Sequence, residues 1–188
     1  ALIPYAMEGE KIASGANHAD NIAPALLGGI TLIRGYEPLD IKHIPYPSDL
    51  WCTVVHPRIE IKTLESRKLI PKEVPLKTAL EQCGNLAGLV AGLITGDYSL
   101  ISRSIKDVFA EPYRAQQLPD FEILKKAALD AGSLGSGISG SGPSVFSLCR
   151  GEEMATSVGD VMKEHFTERN IEADIYVSRI SEAGCRIL

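Results

Sequence analysis

Apolar side chains at Leu76, Leu80, Cys83, Ala87, Val90 and Ile94 recur at spacings of 4, 3, 4, 3 and 4, the repeat of one face of a long helix. Gly84, Gly88 and Gly92 form a second stripe on it, where a neighbouring backbone can come close, and Gly96 is the expected stop. Ala155, Val158, Met162 and Phe166 mark another amphipathic helix. A third runs from Asp120, read as its N-cap, to Ala131, with Phe121, Leu124 and Ala128 inward and Gly132 as the stop. Shorter helices are expected over 60–69, ended by Pro71, and over 100–108. Residues 6–27 are helix-biased with a break at Ser14-Gly15 and a stop at Gly28-Gly29; Pro24 fits if it lies in the first turn of a helix begun near Asp20. Strand-like runs cover 29–34, 41–44, 50–55, 144–149, 174–178 and 185–188. Helices in the middle with strands at both ends predict an α+β domain.

Composition narrows the class without choosing a function. The chain has 188 residues, 45% apolar and 23% charged, which is globular and enough for one well-buried domain or one and a half small ones. A formal charge of −5 and no Lys/Arg cluster argue against a nucleic-acid surface. The most apolar stretch, 86–94, is too short and too rich in glycine to span a bilayer. Cys52, Cys83, Cys149 and Cys185 sit in apolar sequence contexts with no CxxC pair, so reduced thiols in a cytoplasmic protein are expected rather than zinc or redox chemistry. The start, Ala1-Leu2-Ile3-Pro4-Tyr5, has neither the basic nor the apolar region of a signal peptide. It also lacks an initiator Met and reads as the tail of a structure already under way, so an amino-terminal truncation is expected.

Candidate chemistry centres on Gly137-Ile138-Ser139-Gly140-Ser141-Gly142-Pro143, which leads straight into the apolar run ending at Cys149. Three glycines and two serines permit positive φ and can converge backbone N–H groups and hydroxyls on one centre. Such a cradle suits a phosphate, or another loop that holds one. A Gly/Ser linker is the plainer reading, but the run is short, carries a proline and opens into core.

This run resembles the third motif of the GHMP kinases, the superfamily of galacto-, homoserine, mevalonate and phosphomevalonate kinases. In that family a loop of this form packs beside the ATP phosphate loop. Residues 14–29, Ser-Gly-Ala-Asn-His-Ala-Asp-Asn-Ile-Ala-Pro-Ala-Leu-Leu-Gly-Gly, are similar to the segment that follows the phosphate loop in the homoserine kinases. The resemblance extends from Glu10 to the carboxyl terminus. It implies an α+β fold: a GHMP-kinase carboxyl-terminal domain, a ferredoxin-like α/β sandwich, over 46–188. Residues 1–45 would be the end of a truncated amino-terminal ATP-binding domain.

The resemblance also assigns roles. Glu10 matches the carboxylate that holds Mg²⁺ against the ATP phosphates; on its own, between Gly9 and Lys11, it also reads as a solvated surface residue. His18 borders the amino-acid substrate, and Asp20 and Asn21 lie in the same region, though Asn17 to Asn21 would serve equally as a helix cap. His18 and Asn21, at i,i+3, could share a polar face. Arg67 and Arg114 match the positions that clamp the substrate α-carboxylate, chemistry that guanidinium forks suit, and Thr63 lines the same pocket. Either arginine alone also reads as a surface ion pair. Ser139, Gly140, Ser141 and Gly142 would brace the phosphate loop, while His56 reads as structural.

The expected activity is ATP-dependent phosphorylation of the L-homoserine hydroxyl in threonine biosynthesis, with Mg²⁺, in the cytoplasm, and with a homodimer among the expected assemblies. The family's Pro-x-x-x-Gly-Leu-Gly-Ser-Ser-Ala loop has no match in the sequence, so the isolated chain is expected to be inactive. Two rivals stand beside this reading. A mevalonate-type GHMP kinase would use the Gly/Ser loop but not two carboxylate-binding arginines. A non-catalytic amino-acid-binding domain would need no ATP.

Overall fold

A computed structural model describes residues 2–14 and 18–186. Two compact units divide the chain, Ala1–Tyr46 with Ile180–Leu188, and Pro47–Arg179. The carboxyl-terminal segment thus returns to the first unit.

In the first unit, helix α1 (Ile3–Ser14) ends where the break is expected, although Gly15, Ala16 and Asn17 lie outside the described residues. Helix α2 (Ile22–Leu27) carries Pro24 in its first turn, where a missing N–H costs nothing, and Gly28 follows at φ 76°. Strands β1 (Ile30–Tyr36) and β2 (Leu39–Ile44) pair antiparallel, each longer than its apolar run. The last residues dock beside α2: Ser181 O accepts from Gly29 N at 2.7 Å and Ala25 O from Cys185 N at 2.9 Å. A Cβ on Gly184 would lie 2.2 Å from Leu26 O, and one on Gly28 2.5 Å from Glu182 O, so both positions demand glycine. The expected strand at 185–188 is not formed at 185–186, because this segment meets α2, whose carbonyls offer single bonds and no ladder. Residues 187 and 188 lie outside the described residues.

The second unit is built on a four-stranded antiparallel sheet of β3 (Leu50–Pro57), β4 (Gly135–Ile138), β5 (Val145–Arg150) and β6 (Ala173–Arg179), in the order β4-β5-β3-β6. Between β3 and β4 come α3 (Thr63–Lys68), α4 (Leu76–Thr95), α5 (Tyr98–Ser104), the one-turn α6 (Glu111–Arg114), a 3₁₀ turn at Ala115–Gln117 and α7 (Phe121–Asp130). Helix α8 (Glu152–Thr167) joins β5 to β6. This is the split β-α-β arrangement of ferredoxin-like folds.

Strict alternation on β3 sends Trp51, Thr53, Val55 and Pro57 to one face, where α7 and α8 cover them. Ala155, Val158, Met162 and Phe166 of α8 are wholly buried, as their spacing predicts. Thr53, buried among them, donates its hydroxyl to Ala155 O at 2.5 Å, so a polar group in the core is paired.

Three expectations need correction here. Leu76, Leu80 and Ile94 of α4 are 74%, 64% and 54% exposed, so the regular apolar stripe is not the buried one. The side that packs is the glycine stripe: a Cβ on Gly92 would sit 2.9 Å from Ile101 N, and one on Gly88 2.5 Å from Ser104 Oγ. Close helix approach decided this face, while Gly84 faces open space. Asp120 occupies the N-cap position of α7 but makes no capping bond; it sits at φ 48° and its carboxylate is taken by Arg169 at 2.8 and 3.0 Å. Cys83 and Cys185 are exposed despite their apolar sequence neighbours; burial pushes the Cys52 thiol up to about 11 and Cys149 up to about 12.

Candidate functional site

The Gly/Ser segment divides in two. Gly137 and Ile138 close β4, an element the glycine content conceals, and 139–144 form a tight turn into β5. Ser139 N donates to Ser144 O at 2.8 Å and Gly142 N to Ser139 O at 2.9 Å. Gly140 and Gly142 adopt φ values of 58° and 80°, which only glycine takes without strain. The turn's two ends are thereby fixed by its own backbone.

Three neighbours hold it from outside. Ser66 of α3, wholly buried, donates its hydroxyl to Ser141 O at 3.2 Å. Thr63, one turn earlier, places Oγ1 3.3 Å from Ser141 Oγ. Arg114, at the end of α6, donates Nη1 to Gly140 O at 2.6 Å. His56 Nδ1 lies 2.8 Å from Ser144 Oγ at the turn's far end, the structural role its position suggested. Sequence reading missed Ser66. Its place one residue before Arg67 on a short helix, with only its own hydroxyl to mark it, gives no signal before α3 is placed.

Arg67 and Arg114 are neighbours in charge as well. Burial lowers the pKa of the Arg114 guanidinium from its ordinary value, Asp107 opposes this, and the positive charge of Arg67 lowers it further. Neither arginine is in an ion pair among the described residues. Arg114 Nε is buried and has no hydrogen-bond partner among the described residues. Two partly buried cations that repel one another, one with an unmet donor, favour an anion between or beside them. A pocket of about 240 Å³ adjoins, lined by Asp107, Glu111, Arg114, Gly137, Gly140 and Phe146 among others.

Thr63, Arg67, Arg114 and the 139–142 turn therefore meet within the second unit. Glu10, His18 and Asn21 belong to the first. Glu10 is half-buried on α1. His18 precedes α2 outside any helix and stands edge-on to Tyr36, with ring centroids 6.4 Å apart. Asn21 occupies the N-cap position of α2 but makes no side-chain cap bond. His18 and Asn21 are thus not on a shared helical turn, because α2 starts only at Ile22. Asn17 lies outside the described residues. Among the described residues no three His, Cys, Asp or Glu side chains cluster as a metal site. No helix among them is long and apolar enough to cross a membrane.

Comparison with known proteins bears on the fold and the family. The family described as GHMP kinases C terminal matches residues 86–168. A homoserine kinase of Chlorobium phaeobacteroides is 49% identical over the whole chain. Another, from Thermococcus gammatolerans, is 40% identical over 95% of it. The crystal structure of homoserine kinase from Cytophaga hutchinsonii superposes over the whole chain with a TM-score of 0.97 at 48% identity. The chain spans 59% of the length of each of these relatives, and aligns with their carboxyl-terminal part. With the split β-α-β sheet and its braced Gly/Ser turn, these likenesses show that the chain contains a GHMP-kinase carboxyl-terminal domain and is similar throughout to the carboxyl-terminal part of homoserine kinases.

Proposed function

We propose that this chain is the carboxyl-terminal part of a homoserine kinase, which transfers the γ-phosphoryl group of ATP to the hydroxyl of L-homoserine in the cytoplasm, in threonine biosynthesis. The second unit is the carboxyl-terminal domain, and the first is the end of the ATP-binding domain. The observation that carries this reading is the pair Arg67 and Arg114, in no ion pair among the described residues, with Arg114 bonded to the 139–142 turn. An α-amino acid supplies the carboxylate that pair lacks; sugars carry none, while mevalonate, itself a carboxylate, is set apart by the chain's 49% identity to a homoserine kinase and not by the arginines.

In this scheme Arg67 and Arg114 of the second unit bind and orient the substrate carboxylate beside Thr63, and His18 and Asn21 of the first unit keep the roles toward the substrate that the resemblance implies. Fixing one end of a small substrate aims its other end, the hydroxyl, at the nucleotide. The 139–142 turn, pinned by Ser66, Thr63 and Arg114, stands where the family props its phosphate loop. Glu10 is the residue that would hold Mg²⁺. A single carboxylate fits that ion, which takes one or two protein carboxylates and completes its shell with phosphate and water. When bound, Mg²⁺ neutralises charge on the transferring phosphate. Dimer formation is part of the same proposal.

Homoserine-dependent ADP release by the full-length protein tests the reading. Turnover with L-homoserine and none with mevalonate is expected. Turnover with mevalonate, or with neither alcohol, would refute it.

A further inference from the structure

Arg114 sits on α6, a helix of four residues, too short to hold its own direction by internal hydrogen bonds. Its orientation must come from what anchors the turn. Three backbone N–H groups at its start are taken by one side chain: Asp107 accepts from Phe109 N at 2.7 Å, Ala110 N at 2.9 Å and Glu111 N at 3.2 Å. That fixes where the turn begins, but it leaves the turn free to rotate.

Glu111 removes that freedom. It is 8% exposed, a buried carboxylate in the wall of the pocket beside Arg114, and it is ion-paired to Lys125 of α7. Lys125 is itself held, with its ammonium 5.5 Å from the centre of the Phe121 ring. On the other side Glu111 lies beside β4, where a Cβ on Gly137 would be 3.4 Å from Oε2. Burial pushes the Glu111 carboxyl up while Lys125 opposes it. A buried carboxylate is costly unless paired, and here its pairing locks α6 to α7. Arg114 follows three residues later on the same turn.

We propose that Glu111 and Lys125 are positioning residues for Arg114, setting the rotation of α6 so that its guanidinium meets both Gly140 O and the substrate carboxylate. This rests on the homoserine reading for the substrate, but not for the arginine's orientation. Neither residue need touch the substrate.

The test uses Glu111→Gln and Lys125→Met in the full-length protein, two variants that break the pair from opposite sides. Each is expected to raise KM for homoserine about tenfold, the scale of a small misplacement of a binding group, with KM for ATP within about twofold. Lys125→Arg, which keeps the charge, is expected to restore most of the loss. A second readout needs no substrate: the Nε–H resonance of Arg114, shielded in the wild type because Nε is buried, should shift and exchange faster in both variants. Unchanged KM for homoserine with an unchanged resonance would overturn the proposal. So would equal rises in both KM values with a lowered Tm, the mark of general destabilisation. If the wild type does not turn over homoserine, the substrate reading fails while the resonance still decides the positioning role. If Glu111→Gln does not fold, Lys125→Met decides it.

Discussion

Arg114→Ala in the full-length protein is expected to lower kcat/KM for homoserine by roughly a hundredfold or more, with KM for ATP far less affected. Hydrogen bonds to charged groups contribute about 1.5–3 kcal/mol each, and two such bonds to a carboxylate account for that fall, since each 1.4 kcal/mol is about tenfold. The truncation also removes the Nη1 bond to Gly140 O, so part of the loss should appear in kcat. Arg67→Ala should lose carboxylate binding without that second component, because Arg67 makes no bond to the turn among the described residues. The contrast is measurable by steady-state kinetics with each substrate varied in turn. Arg114→Ala with unchanged homoserine kinetics would remove the arginine from the site.

Phe166→Ala is expected to destabilise the protein by about 3–5 kcal/mol, the largest effect on folding from a single core position. Phe166 is the largest of the fully buried side chains, on the face of α8 that meets α7 and the sheet. Its removal leaves a void that the rest of the buried cluster fills only in part. Tyr176→Ala on β6, where the side chain is 61% exposed, should change stability by about 0.5 kcal/mol or less. Urea unfolding of both variants measures the difference, and a small effect at Phe166 would mean that the core closes over the gap.

What the sequence makes legible follows from how each signal arises. Helix α8 is readable because its spacing and its burial coincide: Ala155, Val158, Met162 and Phe166 are all interior. On α4 the same periodicity misleads, since hydrophobic spacing reports only that a face is apolar. Which face packs was settled by backbone approach at Gly88 and Gly92, a steric property of α5 as much as of α4. Strand β4 escapes because Gly135, Ser136 and Gly137 carry no strand-like side chains; pairing with β5 and the room needed by Ile105 and Phe146 define it instead.

The site divides along the same line. Arg67, Arg114 and the 139–142 turn come from resemblance and local chemistry, and the structure sets them side by side. Ser66 and Glu111 do not announce themselves, because their importance lies in contacts 75 residues and 14 residues away along the chain. A buried serine or glutamate cannot be told from an exposed one until the helices that bury it are placed.

The most direct measurement is phosphorus NMR of the product formed by the full-length protein from ATP and L-homoserine, beside a parallel reaction with a homoserine analogue whose carboxylate is replaced by a neutral amide. The account predicts a new phosphate monoester with homoserine and ADP in equal amount, and little product from the amide. No ester with homoserine, or equal phosphorylation of the amide, would contradict the claim that Arg67 and Arg114 select an amino acid by its carboxylate.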